Sequence, residues 1–140
     1  MNASALILVD LQAAAFGGFG IPAFHDPDLL LRNARTLLHS ARASSVPIIH
    51  IQHCADPGEA FAEGAPGWPI FPPLAPEGSE PVVRKRARNA FEGTDLNARL
   101  QAQAIQLAGG NVAYLDSEEA KKATQDYERS WEFWKSRLPR

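Results

Sequence analysis

Ala5-Leu6-Ile7-Leu8-Val9-Asp10 decides the fold class. An unbroken apolar run this short suits a strand buried on both faces, as in a parallel sheet. Working outward, Asp26-Pro27 supplies an N-cap followed by proline at the first helical position. Leu30, Ala34, Leu37, Leu38 and Ala41 then recur at helical spacing, and that helix is expected to end near Ala43, before Ser44-Ser45. Pro47 to Gln52 reads as a second buried strand. Strand, helix and strand make a βαβ unit with a right-handed crossover.

Residues 53–81 have a different character. They hold seven of the eleven prolines and keep no apolar period. A loop this long in a compact domain is either functional or a sign of a wrong assignment of elements. Trp68 within it is either a packing anchor or a pocket wall. Val82 to Arg88 returns to extended character, and Thr94 or Asp95 can cap a helix holding Leu96, Leu100, Ala104 and Leu107. Gly109-Gly110 ends it, and Asn111 to Leu115 reads as a further strand. From Ser117 to Leu138, the stripe Ala120, Thr124, Tyr127, Trp131, Trp134, Leu138 is the strongest helical period in the chain. An aromatic face of that size needs a partner surface. Phe133, off the stripe, tilts the expectation toward a homodimer.

The bulk numbers fit one domain. The 140 residues can bury a sizeable core without staples, and 45% hydrophobic residues is an ordinary globular share. A net charge of −2 gives no field to recruit nucleic acid or an anionic membrane. Cys54 is the only cysteine, which excludes an intrachain disulfide and favours a reducing compartment. No cationic leader precedes the first apolar run and no stretch approaches a membrane span, so a cytoplasmic protein is expected.

Four sets of residues could carry chemistry. Asp10 closes a buried strand, where a carboxylate is costly unless paired or used, and the carboxyl ends of parallel strands are where ligands bind. In Val83-Arg84-Lys85-Arg86-Ala87-Arg88, alternation puts the arginines on one face and Lys85 with Val83 and Ala87 on the other. Lys85 is thus the cationic residue expected to point inward, with Asp10 as partner; the bland alternative is a solvated basic run. His50 and His53 lie on a strand, where their spacing sends them to opposite faces, so neither a metal site nor a cofactor is expected. Cys54 is the one possible thiol nucleophile, or an inert packing residue.

These residues resemble the isochorismatase-like cysteine hydrolases. The resemblance rests on four motifs in order: Ala5-Leu6-Ile7-Leu8-Val9-Asp10-Leu11-Gln12 with Phe16; Val46-Pro47-Ile48-Ile49-His50-Ile51-Gln52-His53; Gly64-Ala65-Pro66-Gly67-Trp68-Pro69-Ile70 with Leu74-Ala75-Pro76; and Pro81-Val82-Val83-Arg84-Lys85 followed by Asn89-Ala90-Phe91-Glu92-Gly93-Thr94-Asp95-Leu96. It implies an α/β, Rossmann-like three-layer fold: a parallel sheet flanked by helices, truncated relative to the family. Residues 1–100 are family-like, and 101–140 form a divergent tail with a long amphipathic helix. It also implies Asp10 as base, Lys85 as its cationic partner, and Phe16, Trp68 and Phe91 around a small-molecule substrate. The family's nucleophilic cysteine opens a later helix. No cysteine follows Cys54 here, and Ser117 stands where the thiol would be expected. The resemblance therefore implies a hydrolase of small amides or related metabolites that is weak or inactive, with a catalytically dead binding or oligomerisation protein as the alternative.

Overall fold

The computed structural model describes residues 5–103. Three parallel strands, β1 (Leu6–Val9), β2 (Ile48–His53) and β3 (Val82–Lys85), lie side by side in that order. Leu6 pairs with Ile48, and His50 with Val82. The helix α1 (Pro27–Ala43) connects β1 to β2, and α2 (Leu96–Ala102) follows β3. Two short 3-10 turns, Ala13–Phe16 and Pro72–Leu74, sit in the connections.

Strand alternation divides the core into two layers. Leu6, Leu8 and Ile48 face α1, where Ala34, Leu38 and Ala41 meet them, with Leu74 sealing the cluster. Ala5, Ile49, Ile51 and Val83 face the other way, onto Leu96 and Leu100 of α2. Packing on both sides is why β1 and the start of β2 read as apolar runs, whereas β3 leaves the face of Val82 and Arg84 exposed. The expected start of α1 is present: the Asp26 side chain accepts from the Leu29 amide at 3.1 Å, with Pro27 next in the chain.

One local expectation needs correction, and one open alternative is decided. Extended structure was expected from Val82 to Arg88, but β3 stops at Lys85; the chain bends there, and the Lys85 ammonium donates to the Ala87 carbonyl at 3.3 Å. At α2 it is Thr94 whose hydroxyl accepts from the Leu96 amide, while Asp95 makes no capping bond and pairs with Arg99 one turn on. The strand expected at Asn111–Leu115, the helix expected from Ser117 to Leu138, and Ala104 and Leu107 lie outside the described residues. Among the described residues no helix is long and apolar enough to cross a membrane.

Candidate active site

The carboxyl ends of the three strands meet at one edge of the sheet. Asp10 directly follows β1, His53 ends β2, and Lys85 ends β3 in register with His53. Lys85 is buried on the face of Val83, as alternation predicts, while Arg84, Arg86 and Arg88 are exposed. Strand parity would put residue 10 on the opposite face, with Leu6 and Leu8. The backbone breaks that parity: Asp10 has a left-handed φ of 58°. Such a conformation costs a non-glycine residue on the order of 1–3 kcal/mol, least for Asp and Asn, and concentrates at functional sites. Past this turn, the Asp10 carboxylate meets Lys85, with Oδ2 3.3 Å from Nζ.

The pair is lopsided. The Lys85 side chain is 4% exposed and that of Asp10 29%. The ammonium is therefore walled in, and solvent reaches the pair from the carboxylate side. Asp10 Oδ1 is itself buried and has no hydrogen-bond partner among the described residues; the same holds for His53 Nδ1 and Trp68 Nε1. Buried polar atoms left unmatched are uncommon in stable cores.

Gln12, two residues beyond Asp10, is fully buried. Its Nε2 donates to the carbonyls of His53 (3.0 Å) and Trp68 (2.7 Å), and its Oε1 accepts from the His53 amide at 2.8 Å. Gln52 donates to the same Trp68 carbonyl at 3.1 Å. Backbone bonds from Ala13 to Pro69, Ala14 to Gly67 and Phe71 to Leu11 stitch the segment after Asp10 to the long loop. In the sequence Gln12 figures only in the resemblance; its burial beside a strand end has no local signature.

The other sequence candidates make separate contacts. Cys54 is buried, and its amide donates to the Lys85 carbonyl at 2.8 Å. Phe16 stacks on Phe71 (centroids 4.1 Å apart) and packs against the α1-side core. Phe91 packs against the α2-side core. Trp68 lies under the Arg84 guanidinium, 4.8 Å from the ring centroid. Ser117 lies outside the described residues. An open hollow of about 330 Å³ beside the loop is lined by Phe19, Ala60, Pro66 and Gly67, among others, and by neither Asp10 nor Lys85. His53 turns edge-on to Phe61. Among the described residues no His, Cys, Asp and Glu converge in a set able to hold a metal ion.

A second charged cluster occupies the amino edge of the sheet. Arg42, in the last turn of α1, donates through Nε and an Nη to the two oxygens of Glu80, at 2.8 and 3.0 Å. It also donates to Glu77 and to the Ala75 carbonyl. Glu80 accepts further bonds from the buried His50 ring (2.8 Å) and the Glu77 amide (3.1 Å). The Arg42 hydrogen bonds foremost, then that of His50, hold the Glu80 carboxyl well below the usual carboxylate range, at about 2.

Comparison with known proteins gives this geometry a context. A family model described as an isochorismatase domain matches residues 4–111. A streptothricin hydrolase of Streptomyces noursei is 40% identical over 92 residues, covering 66% of this chain and 36% of that protein. The uncharacterized isochorismatase family protein YddQ of Bacillus subtilis is 32% identical over 104 residues, covering 73% and 57%. The crystal structure of an isochorismatase from Pseudomonas putida superposes with a TM-score of 0.67 at 34% identity, covering 74% of this chain and 52% of that one. The chain thus spans about a third of the streptothricin hydrolase and about half of the solved relative.

Proposed function

Because this chain belongs to the isochorismatase family, we propose that it is an isochorismatase-like hydrolase domain whose Asp10 and Lys85 receive a small amide or related metabolite, and that these 140 residues turn it over weakly or not at all. The observation that carries the reading is the Asp10–Lys85 pair at the carboxyl edge, with one buried carboxylate oxygen left unmatched. A base and a cation so placed suit hydrolysis through a thiol. The carboxylate takes the proton of the thiol, and the thiolate attacks the carbonyl carbon. The C–N bond then breaks as the proton passes to the leaving nitrogen, and water releases the acyl group. The ammonium stabilises the charges that develop.

The weak turnover follows from the nucleophile. Cys54 is the only thiol in the sequence and is 3% exposed. Burial of that degree keeps a substrate carbonyl from reaching its sulfur. The same fact favours a second reading, a binding or oligomerisation protein of the same fold without catalysis. A thiol-reactive probe with mass mapping separates them: slow labelling of Cys54 near neutral pH is expected, and fast labelling would mark a relocated nucleophile. A panel of nicotinamide, simple amides and streptothricin, the last because one relative bears that name, should show little turnover. Robust turnover that survives Cys54→Ala would overturn the assignment. A homodimer in the cytoplasm remains part of the proposal, and sedimentation at micromolar concentration tests the dimer.

A further inference from the structure

We propose that Gln12 is the positioning residue of this site: its side-chain amide takes the place of a missing stretch of β1 and so lets the backbone turn Asp10 toward Lys85. The inference rests on the reading of Asp10 and Lys85 as the ligand site and adds the residue that creates their geometry.

The hydrogen-bond ladder between β1 and β2 shows the substitution. The Leu6 amide donates to the Pro47 carbonyl, and the Asp10 amide donates to the Ile51 carbonyl. Counting on by twos, the next groups on that side of β2 are the amide and carbonyl of His53. A β1 that continued as a strand would meet them with the Asp10 carbonyl and the Gln12 amide. Instead the chain leaves at Asp10 with φ 58°, and both groups of His53 bond to the Gln12 side chain, at 2.8 and 3.0 Å. A primary amide has an acceptor and two donors in one plane, so it mimics a peptide group. Its second hydrogen reaches the Trp68 carbonyl and ties the loop to the same point.

Without that amide, two backbone groups at the end of β2 lose their partners inside the protein, which is costly. The accessible relief is for β1 to run on by two residues and complete the ladder with main chain. Strand parity then carries the Asp10 side chain to the face of Leu6 and Leu8, away from Lys85. Gln12 therefore acts through Asp10 and needs no contact with a ligand.

The test uses NMR and a double-mutant cycle on the full chain. In the wild type, a coupling across the hydrogen bond is expected between the His53 amide nitrogen and the Gln12 side-chain carbonyl carbon, and the Asp10 Cα shift should be that of a left-handed residue. Absence of the cross-bond coupling overturns the proposal without any variant having to fold. In Gln12→Met, the Asp10 Cα shift should move to the strand value. The Asp10→Asn/Lys85→Met cycle, coupled about tenfold in the folding equilibrium constant of the wild type, should then lose its coupling. Gln52→Met removes a buried amide bond to the same Trp68 carbonyl and should leave both readouts in place. A residue with a merely structural role would lower stability in Gln12→Met but leave shift and coupling intact, and that result overturns the positioning role alone. A wild-type chain with no Asp10–Lys85 coupling would instead overturn the functional reading on which it rests.

Discussion

The two edges of the sheet carry charged clusters built on opposite terms. At the amino edge, Glu80 accepts from Arg42, His50 and the Glu77 amide, and Arg42 is in turn satisfied by Glu77 and Ala75. At the carboxyl edge, Asp10 and Lys85 share one 3.3 Å contact, one carboxylate oxygen is buried unmatched, and the backbone is held left-handed. A saturated network rigidifies the fold and has nothing left to offer a ligand. An under-satisfied pair at a strained turn sacrifices stability and keeps its capacity to bind. Within one small sheet, the degree of polar satisfaction separates the part that holds the fold from the part proposed to act.

Removing the cation from each edge tests that contrast most directly. Arg42→Met leaves the Glu80 carboxylate largely buried without its main partner and should cost about 3 kcal/mol, read from urea unfolding at neutral pH. The amino edge should also govern acid sensitivity. Glu80 titrates at about 2 in the folded chain, below its ordinary value of 4.5. Its contribution is therefore present above about pH 4.5 and is lost as pH falls toward 2, because the unfolded chain takes up the proton first. With solvent screening allowed for, the loss is about 2 kcal/mol. Glu80→Gln should flatten that part of the stability–pH curve; an unchanged curve would show that other carboxylates govern acid unfolding.

Lys85→Met should behave differently. It removes a buried cation and leaves Asp10, whose side chain is 29% exposed, in contact with water. Stability should change by no more than about 1 kcal/mol, while binding of any ligand taken up by the wild type is lost. A loss matching that of Arg42→Met would erase the distinction between the two edges.

Much of this was legible in the sequence, and the physical reasons for success and failure differ. The apolar runs fixed β1 and β2 because both faces of a parallel strand are covered. Alternation alone separated the buried Lys85 from Arg84, Arg86 and Arg88. The amino-edge cluster was not legible, because Arg42 and Glu80 are 38 residues apart and no local period links them. Gln12 escaped for a related reason: nothing in a sequence distinguishes a side-chain amide that completes a backbone ladder from one facing water. The left-handed turn at Asp10 was equally hidden, since Asp occupies strand ends in either conformation.

The smallest expected effect concerns what holds the long loop at the carboxyl edge. Two kinds of contact meet at Trp68. Buried amides of Gln12 and Gln52 take its carbonyl, and the exposed Arg84 covers its ring. Arg84 also pairs with Glu63, at 3.0 Å, with both side chains about half exposed. A cation over an aromatic ring at an exposed site contributes about 0.5–1 kcal/mol, and surface ion pairs contribute little more. Arg84→Ala should therefore cost only about 0.5 kcal/mol in denaturant unfolding and should leave the Trp68 backbone amide shift nearly unchanged. Gln52→Met, which strips a buried bond from the same carbonyl, should move that shift more and cost about 1 kcal/mol. The reverse order would mean that the surface cation anchors the loop, and the site would then owe its shape to solvent-screened charge.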